Sequence, residues 1–517
     1  MEKRNWEKKW RFNYGWFFFL FLFLFLFLFL FLFLFLFFLF FSFLLLKSVS
    51  LSVSLSCRYS KLTKTLAARS DGLGENLTKI INPYLQFMVD IVEKSGGDVV
   101  KFIGDAILMS WEQQGSEADT AASAALACLR LIERLGDHQV EIPGEETKYL
   151  LSMHIGLSVG EMYDVHVGLE QRMEYFIAGK AVKEAVLLVN VAQKKEIAIS
   201  GSALQHLQTF QDTYGVELAV EGRVGGIILK KLDTPTNTTG VTYNFSARNA
   251  PEPPFPKPVY QRYINESVVA RLTGNPVSEF DKMSFVNELR KVSVLFLKIE
   301  GLNAHSTESL PVMQSVIEVV LGVLKVRSPL FALFAEATNK KKKKIQNFKM
   351  HQSYTGMLRQ MVIDDKGATL LTVFGLPPLS HENNAIFAVR AALELRTLLK
   401  RLVVFSIGVT SGSVFTGIIG SRRRCDHTIL GEPVNLAARM MCSPLTANCG
   451  IMCDVATQKA TREEIEFTER EPQNFFKDAG PIECFTVVGQ QRMQSKASYM
   501  PPLPGVHFSH FSLPKRN

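Results

Sequence analysis

The feature that most constrains this chain is an internal repeat. His154 to Gly160 (HIGLSVG) is echoed by Ser406 to Gly412 (SIGVTSG), each an apolar run entering a glycine turn, which reads as a β-strand. Further on, Tyr175 to Val182 is echoed by His427 to Val434, and Gly156 to Gly179 covers as many residues as Gly408 to Gly431. A third echo sets Lys101 to Leu108 beside Asp365 to Leu371, both patterned as tight hairpins. A motif order repeated at constant spacing predicts two copies of one structural unit.

Helical periodicity alternates with these strands. Glu117 to Leu135 is rich in Ala and Leu at helical spacing, and Asn383 to Arg401 is its counterpart. Each unit therefore reads as a sheet with helices on one face, an α+β arrangement. The prolines 251, 253, 254, 256 and 258 mark an exposed linker. The expected order is 1–57 low complexity, 58–248 first unit, 249–285 linker, 286–490 second unit and 491–517 tail. Asn339 to Met350, with its five-lysine run, has no match in the first unit and reads as a solvated loop.

Composition narrows the function classes. Most of the formal net charge of +9 sits in residues 1–16 and in Lys340 to Lys344, which leaves no basic stripe to track a phosphate backbone and argues against a nucleic-acid partner. The seven cysteines are scattered without a CxxC pair. Cys449 and Cys453 could meet across one helical turn, but a zinc site needs four ligands, so reduced thiols are expected. Phe17 to Leu46 is almost pure Phe and Leu and long enough to cross a bilayer of roughly 30 Å as a single anchor. Its basic flank would place the N-terminus in the cytoplasm. The other reading is translated low-complexity DNA over residues 1–57, because strict Phe-Leu alternation is followed at once by the Val-Ser-Leu-Ser repeat of residues 49–56.

Gly96 to Asp105 (GGDVVKFIGD), Asp364 to Gly367 with Val373-Phe374-Gly375 behind it, and Thr428 to Met441 with its VNLAARMM core carry a resemblance to a known family. The chain resembles the class III nucleotidyl cyclases, in particular their soluble, bicarbonate-responsive adenylyl branch. The resemblance implies two ferredoxin-like cyclase domains paired as an intramolecular pseudo-dimer in the cytoplasm. It implies an active site between them that converts ATP to cyclic AMP and pyrophosphate with two Mg2+ or Mn2+ ions.

On that resemblance Asp105 is a metal ligand, while Asn435 and Arg439, at i and i+4 on one helix face, orient the ribose and stabilise the transition state. Thr428 stands where the base is contacted. Arg359 or Gln360 stands where a lysine helps to read adenine, and Lys101 stands in the bicarbonate pocket. The pattern breaks at two places. The strand that should carry a second metal aspartate is Leu51 to Arg58, which has no acidic residue, so the first unit is expected to lack its opening strand. Val186 occupies the place of the bicarbonate-binding arginine. A catalytically impaired pseudo-cyclase that binds nucleotide or regulates a partner is the alternative. A receptor-type guanylyl cyclase fits less well, since two distinct halves share one chain.

Overall fold

The structure is a computed structural model. It describes residues 45–58, 73–235, 262–264, 287–324, 354–476 and 480–491, apart from short turn positions (105, 114, 142–147, 304–305, 365–366, 378 and 422–423). In the first half the elements run β1 (Leu45–Arg58), α1 (Leu73–Lys94), β2 (Asp98–Ile103), β3 (Ala106–Glu112), α2 (Glu117–Leu135), β4 (Asp137–Glu141) and β5 (Lys148–Leu169). They continue with β6 (Arg172–Ala178), α3 (Lys180–Val191), β7 (Ile197–Ile199), α4 (Gly201–Tyr214), β8 (Leu218–Arg223) and β9 (Gly226–Leu232). The second half repeats this order with β10 (Glu288–Glu300), α5 (Leu310–Leu324), β11 (Met357–Asp364), β12 (Gly367–Phe374), α6 (Asn384–Leu399) and β13 (Val404–Gly420). It ends with β14 (Cys425–Leu430), α7 (Glu432–Met441), β15 (Ile451–Asp454), α8 (Val455–Thr461), β16 (Ile465–Gln473) and β17 (Ile482–Gln490).

The two sheets share one topology except for β4, which pairs with β5 in the first and has no counterpart among the described residues of the second. Strand order is β2-β3-β1-β5-β7-β9-β8 in one and β11-β12-β10-β13-β15-β17-β16 in the other, with β6 and β14 hanging on β5 and β13. Within each, a βαββαβ core gives the ferredoxin-like order expected from the repeat.

Contrary to expectation, the first half does not lack its opening strand. The Val-Ser-Leu-Ser segment forms β1 and pairs antiparallel with both β3 and β5, the place that β10 takes between β12 and β13. Alternating apolar and polar residues suit that role, because successive strand residues face opposite sides of the sheet. β1 also begins well before residue 58. Cys449 and Cys453 likewise depart from expectation, lying in a turn and on β15 rather than on one helix. Residues 1–44, which hold nearly all of the apolar run, and Asn339 to Met350 lie outside the described residues. Among the described residues, one stretch, Thr307–Leu324, is long and apolar enough to cross a membrane. It is 56% buried, and its helix α5 packs in the core of the second half.

Helix ends follow local chemistry. Ser116 accepts the Asp119 N–H (3.0 Å) at the start of α2, and Asn383, expected inside the second helix, instead caps α6 by accepting from Ile386 N (3.2 Å). Glycine sets how closely helix and strand approach at the two pseudo-equivalent contacts. A Cβ on Gly156 would collide with the Ala185 carbonyl of α3, and one on Gly408 with the Ala437 carbonyl of α7. The bare backbone at Gly408 therefore fixes the depth at which α7 sits.

The halves embrace head to tail. Phe415, Ile419 and Leu430 of the second half are buried in the core of the first, while Val165, Val167, Phe176 and Ala178 of the first are buried in the core of the second. Asn82 of α1 donates to Ile418 O (3.5 Å) and accepts from Gly420 N (3.2 Å) at the tip of β13. Reciprocally, Gln314 of α5 accepts from Gly168 N (2.9 Å) and donates to Gly168 O (2.7 Å) at the tip of β5.

Candidate active site

Helix α7 starts with Pro433 in its first turn and turns Leu436, Ala437, Met440 and Met441 into the core. That leaves Asn435 and Arg439 exposed together on the opposite face. Arg439 is held further: its Nη1 donates to Phe475 O, and its guanidinium carbon lies 4.5 Å from the centre of the Phe476 ring. Thr428 lies seven residues before Asn435, buried on β14 opposite Gly417.

Strands β2 and β11 each carry a bulge, between Val99 and Lys101 in one and between Leu358 and Gln360 in the other. Lys101 and Gln360 are each the first residue past that bulge and pair with Leu108 and Leu371, so they occupy equivalent positions in the two halves. Gln360 is half-buried. Arg359, inside the bulge, has a side chain only 3% exposed and stands 3.8 Å from the Asp426 carboxylate, and burial pushes its pKa down. That burial separates the two adjacent candidates: Arg359 is committed to an ion pair within the protein.

Lys101 is committed in the same way. Its Nζ donates to Met361 O (2.9 Å) and Tyr175 O (3.2 Å) and stands 3.6 Å from Glu174, which is itself paired with Arg172. Burial pushes the Lys101 pKa down, against the opposing pull of Glu174 and Asp426. First-half side chains grip β11 on both sides of Gln360. Arg172 Nη2 donates to Leu358 O (3.3 Å), Glu174 accepts from Met361 N (3.3 Å) and Lys101 takes Met361 O. The mirror contact is Arg424 Nη2 to Val100 O at 2.6 Å.

Sequence reasoning missed Arg172, Glu174, Arg424 and Asp426, although a signal was present. Glu174 and Asp426 stand equally far ahead of Gly179 and Gly431, as do Arg172 and Arg424. It also missed Phe475 and Phe476, for which no local signal exists.

The chain matches the adenylate and guanylate cyclase catalytic domain over residues 59–234 and again over 286–489, more than half of its length. It belongs to that family. This cyclase chain is 24% identical over 435 residues to human adenylate cyclase type 10, covering 79% of itself and 24% of that protein. The rat adenylate cyclase type 10 is 23% identical over 430 residues with the same coverage. The cyclase chain thus spans about a quarter of the length of the curated relatives it matches. Among solved structures, a class III adenylyl cyclase-like ATP-binding protein from Pseudomonas aeruginosa is 12% identical at a TM-score of 0.48, covering 80% of this chain and 85% of that one. The adenylyl cyclase CyaB from P. aeruginosa is 20% identical at a TM-score of 0.28, covering 40% of this chain and 97% of that one.

Cyclases of this family use Mg2+ or Mn2+, and the residues of this chain fit a two-ion site poorly. Asp105 lies outside the described residues, β1 carries no carboxylate, and among the described residues no group of three His, Cys, Asp or Glu is placed to hold a metal. A bicarbonate site fits no better. The small cleft beside Lys101 is lined by Val100, Ile103, Leu108, Phe176, Ile177 and the 361–363 segment, and Glu174 already supplies the anion that faces the lysine. Val186 offers no charge in place of an arginine.

Proposed function

We propose that this chain is an adenylyl-type cyclase that takes ATP between its two halves and closes the ribose 3′-oxygen onto the α-phosphorus, releasing pyrophosphate. The observation that carries the reading is the exposed pair Asn435 and Arg439 on α7, one turn apart and backed by a buried face. As charge builds on the phosphoryl oxygens, a preorganised guanidinium stabilises it more than it stabilises the ground state. Asn435 offers an amide to the ribose. Thr428 and Gln360 line the base position, where Gln360 both donates and accepts. Arg359, held by Asp426, supports that wall from behind. ATP over GTP rests on the adenylate cyclase type 10 relatives.

Divalent ions would supply activation of the 3′-oxygen and neutralisation of the triphosphate. With Asp105 as the lone acidic candidate, no step is assigned to them. The missing carboxylate of β1 favours a second reading, a nucleotide-binding chain of impaired activity. Bicarbonate is not a partner that Lys101 can serve. We place the catalytic halves in the cytoplasm, where ATP is available and thiols such as Cys128, Cys425 and Cys453 stay reduced, with Phe17 to Leu46 as an available anchor.

The test is cyclic AMP formation by the full chain with magnesium or manganese, together with binding of a non-hydrolysable ATP analogue. Activity supports the cyclase. Analogue binding without activity supports the second reading, and the absence of both contradicts a nucleotide site on α7.

A further inference from the structure

Arg439 leaves α7 in its last turn and reaches the segment that follows β16. There Nη1 donates to Phe475 O and the guanidinium lies over the Phe476 ring. That segment is anchored: Phe475 is buried among Leu436, Met440, Met452 and Cys484, and Phe476 packs on the same cluster. Phe475 N also donates to Gln473 O (3.1 Å), closing a tight turn. Leu436 and Met440 belong to α7, so the helix that presents Arg439 and the segment that grips it share one small core.

A guanidinium is a planar fork with five N–H donors, and its usefulness to a phosphate depends on where that plane points. The ring face lies 4.5 Å from the guanidinium carbon, and the hydrogen bond from Nη1 ties one edge of the fork to the Phe475 carbonyl. Among the described residues no partner is bonded to Nε or Nη2. An arginine side chain carries about 2 kcal/mol of rotamer entropy, and a grip of this kind removes part of it before any ligand arrives.

We propose that the Phe475 carbonyl and the Phe476 ring are a positioning pair for Arg439, holding its guanidinium so that the open edge meets the phosphoryl oxygens of a bound nucleoside triphosphate. This rests on the cyclase reading above. Phe476 touches no substrate; it acts through Arg439.

The test compares the full-length wild type with Phe476→Leu, which keeps an apolar side chain but loses the π face, and with Phe476→Trp, which restores one. Phe476→Leu lowers kcat about ten-fold with KM for ATP within about twofold, while Phe476→Trp recovers most of the rate. The melting temperature stays the same in all three. An unchanged or raised kcat in Phe476→Leu, or equal losses in both variants with a lowered melting temperature, would overturn the proposal. A second readout is independent of turnover: the rate at which phenylglyoxal modifies Arg439, followed by peptide mass spectrometry. The rate rises several-fold in Phe476→Leu and falls back in Phe476→Trp. If the wild type makes no cyclic nucleotide the cyclase reading fails, yet the phenylglyoxal rates still decide, because equal rates in wild type and Phe476→Leu contradict the grip.

Discussion

At the scale of single residues, buried or half-buried charges show how closely this chain commits its polar groups. Glu196 accepts from both terminal nitrogens of Arg223, one at 2.9 Å, and that hydrogen bonding holds its carboxyl down at about 2. A carboxylate whose pKa falls on folding contributes stability that is present above its unfolded value and lost as pH falls through the folded one. Glu196→Gln is therefore expected to lower the urea midpoint at neutral pH, and the difference from wild type should vanish between about pH 4.5 and about 2. Chemical denaturation across that range checks the sign. Lys101 shows the opposite case. Its depressed pKa reflects desolvation, and of its three polar contacts the one to Met361 O ties it to the second half, while Tyr175 O and Glu174 hold it within the first.

At the scale of elements, β1 bears most directly on the proposed site, because it carries no carboxylate. Its register sets Ser56 opposite Ala106, the residue that follows Asp105, and opposite His154 on β5. An acid at position 56 would pair in register with Ala106, next in sequence to Asp105. Ser56→Asp is expected to raise cyclic AMP formation about ten-fold or more and to sharpen its dependence on divalent ion concentration. A rate unchanged from wild type across a manganese titration would count against this. Much of the element pattern was legible in the sequence: Glu117–Leu135 is α2 to the residue, and the glycines of β5 and β13 mark the two helix contacts. Period-2 alternation in residues 49–55 was also a strand signal, masked by its look of a simple repeat. The charged cluster was not legible, because Glu174 and Asp426 find partners that only the folded arrangement of strands and halves supplies. The grip on Arg439 is non-local in the same way, with donor and acceptor 36 positions apart in sequence.

At the scale of the whole molecule, the two halves are one cooperative body because each completes the other's core. Phe415 is carried by the second sheet yet buried in the first half's core, at 2% exposure. Phe415→Ala should cost about 3–5 kcal/mol and raise hydrogen exchange in α1 and α2 as well as in β13. Exchange confined to the second half would contradict the mutual embrace. The same embrace shapes the proposed site, since first-half side chains fix the peptide groups on either side of Gln360 while the second half carries the proposed Thr428, Asn435 and Arg439. The most direct test of this arrangement is cyclic AMP production from ATP by the full chain, set against Arg439→Ala. Measurable formation is expected in the wild type, falling at least about a hundred-fold in the variant with nucleotide-analogue binding kept. Equal rates in the two proteins would contradict it.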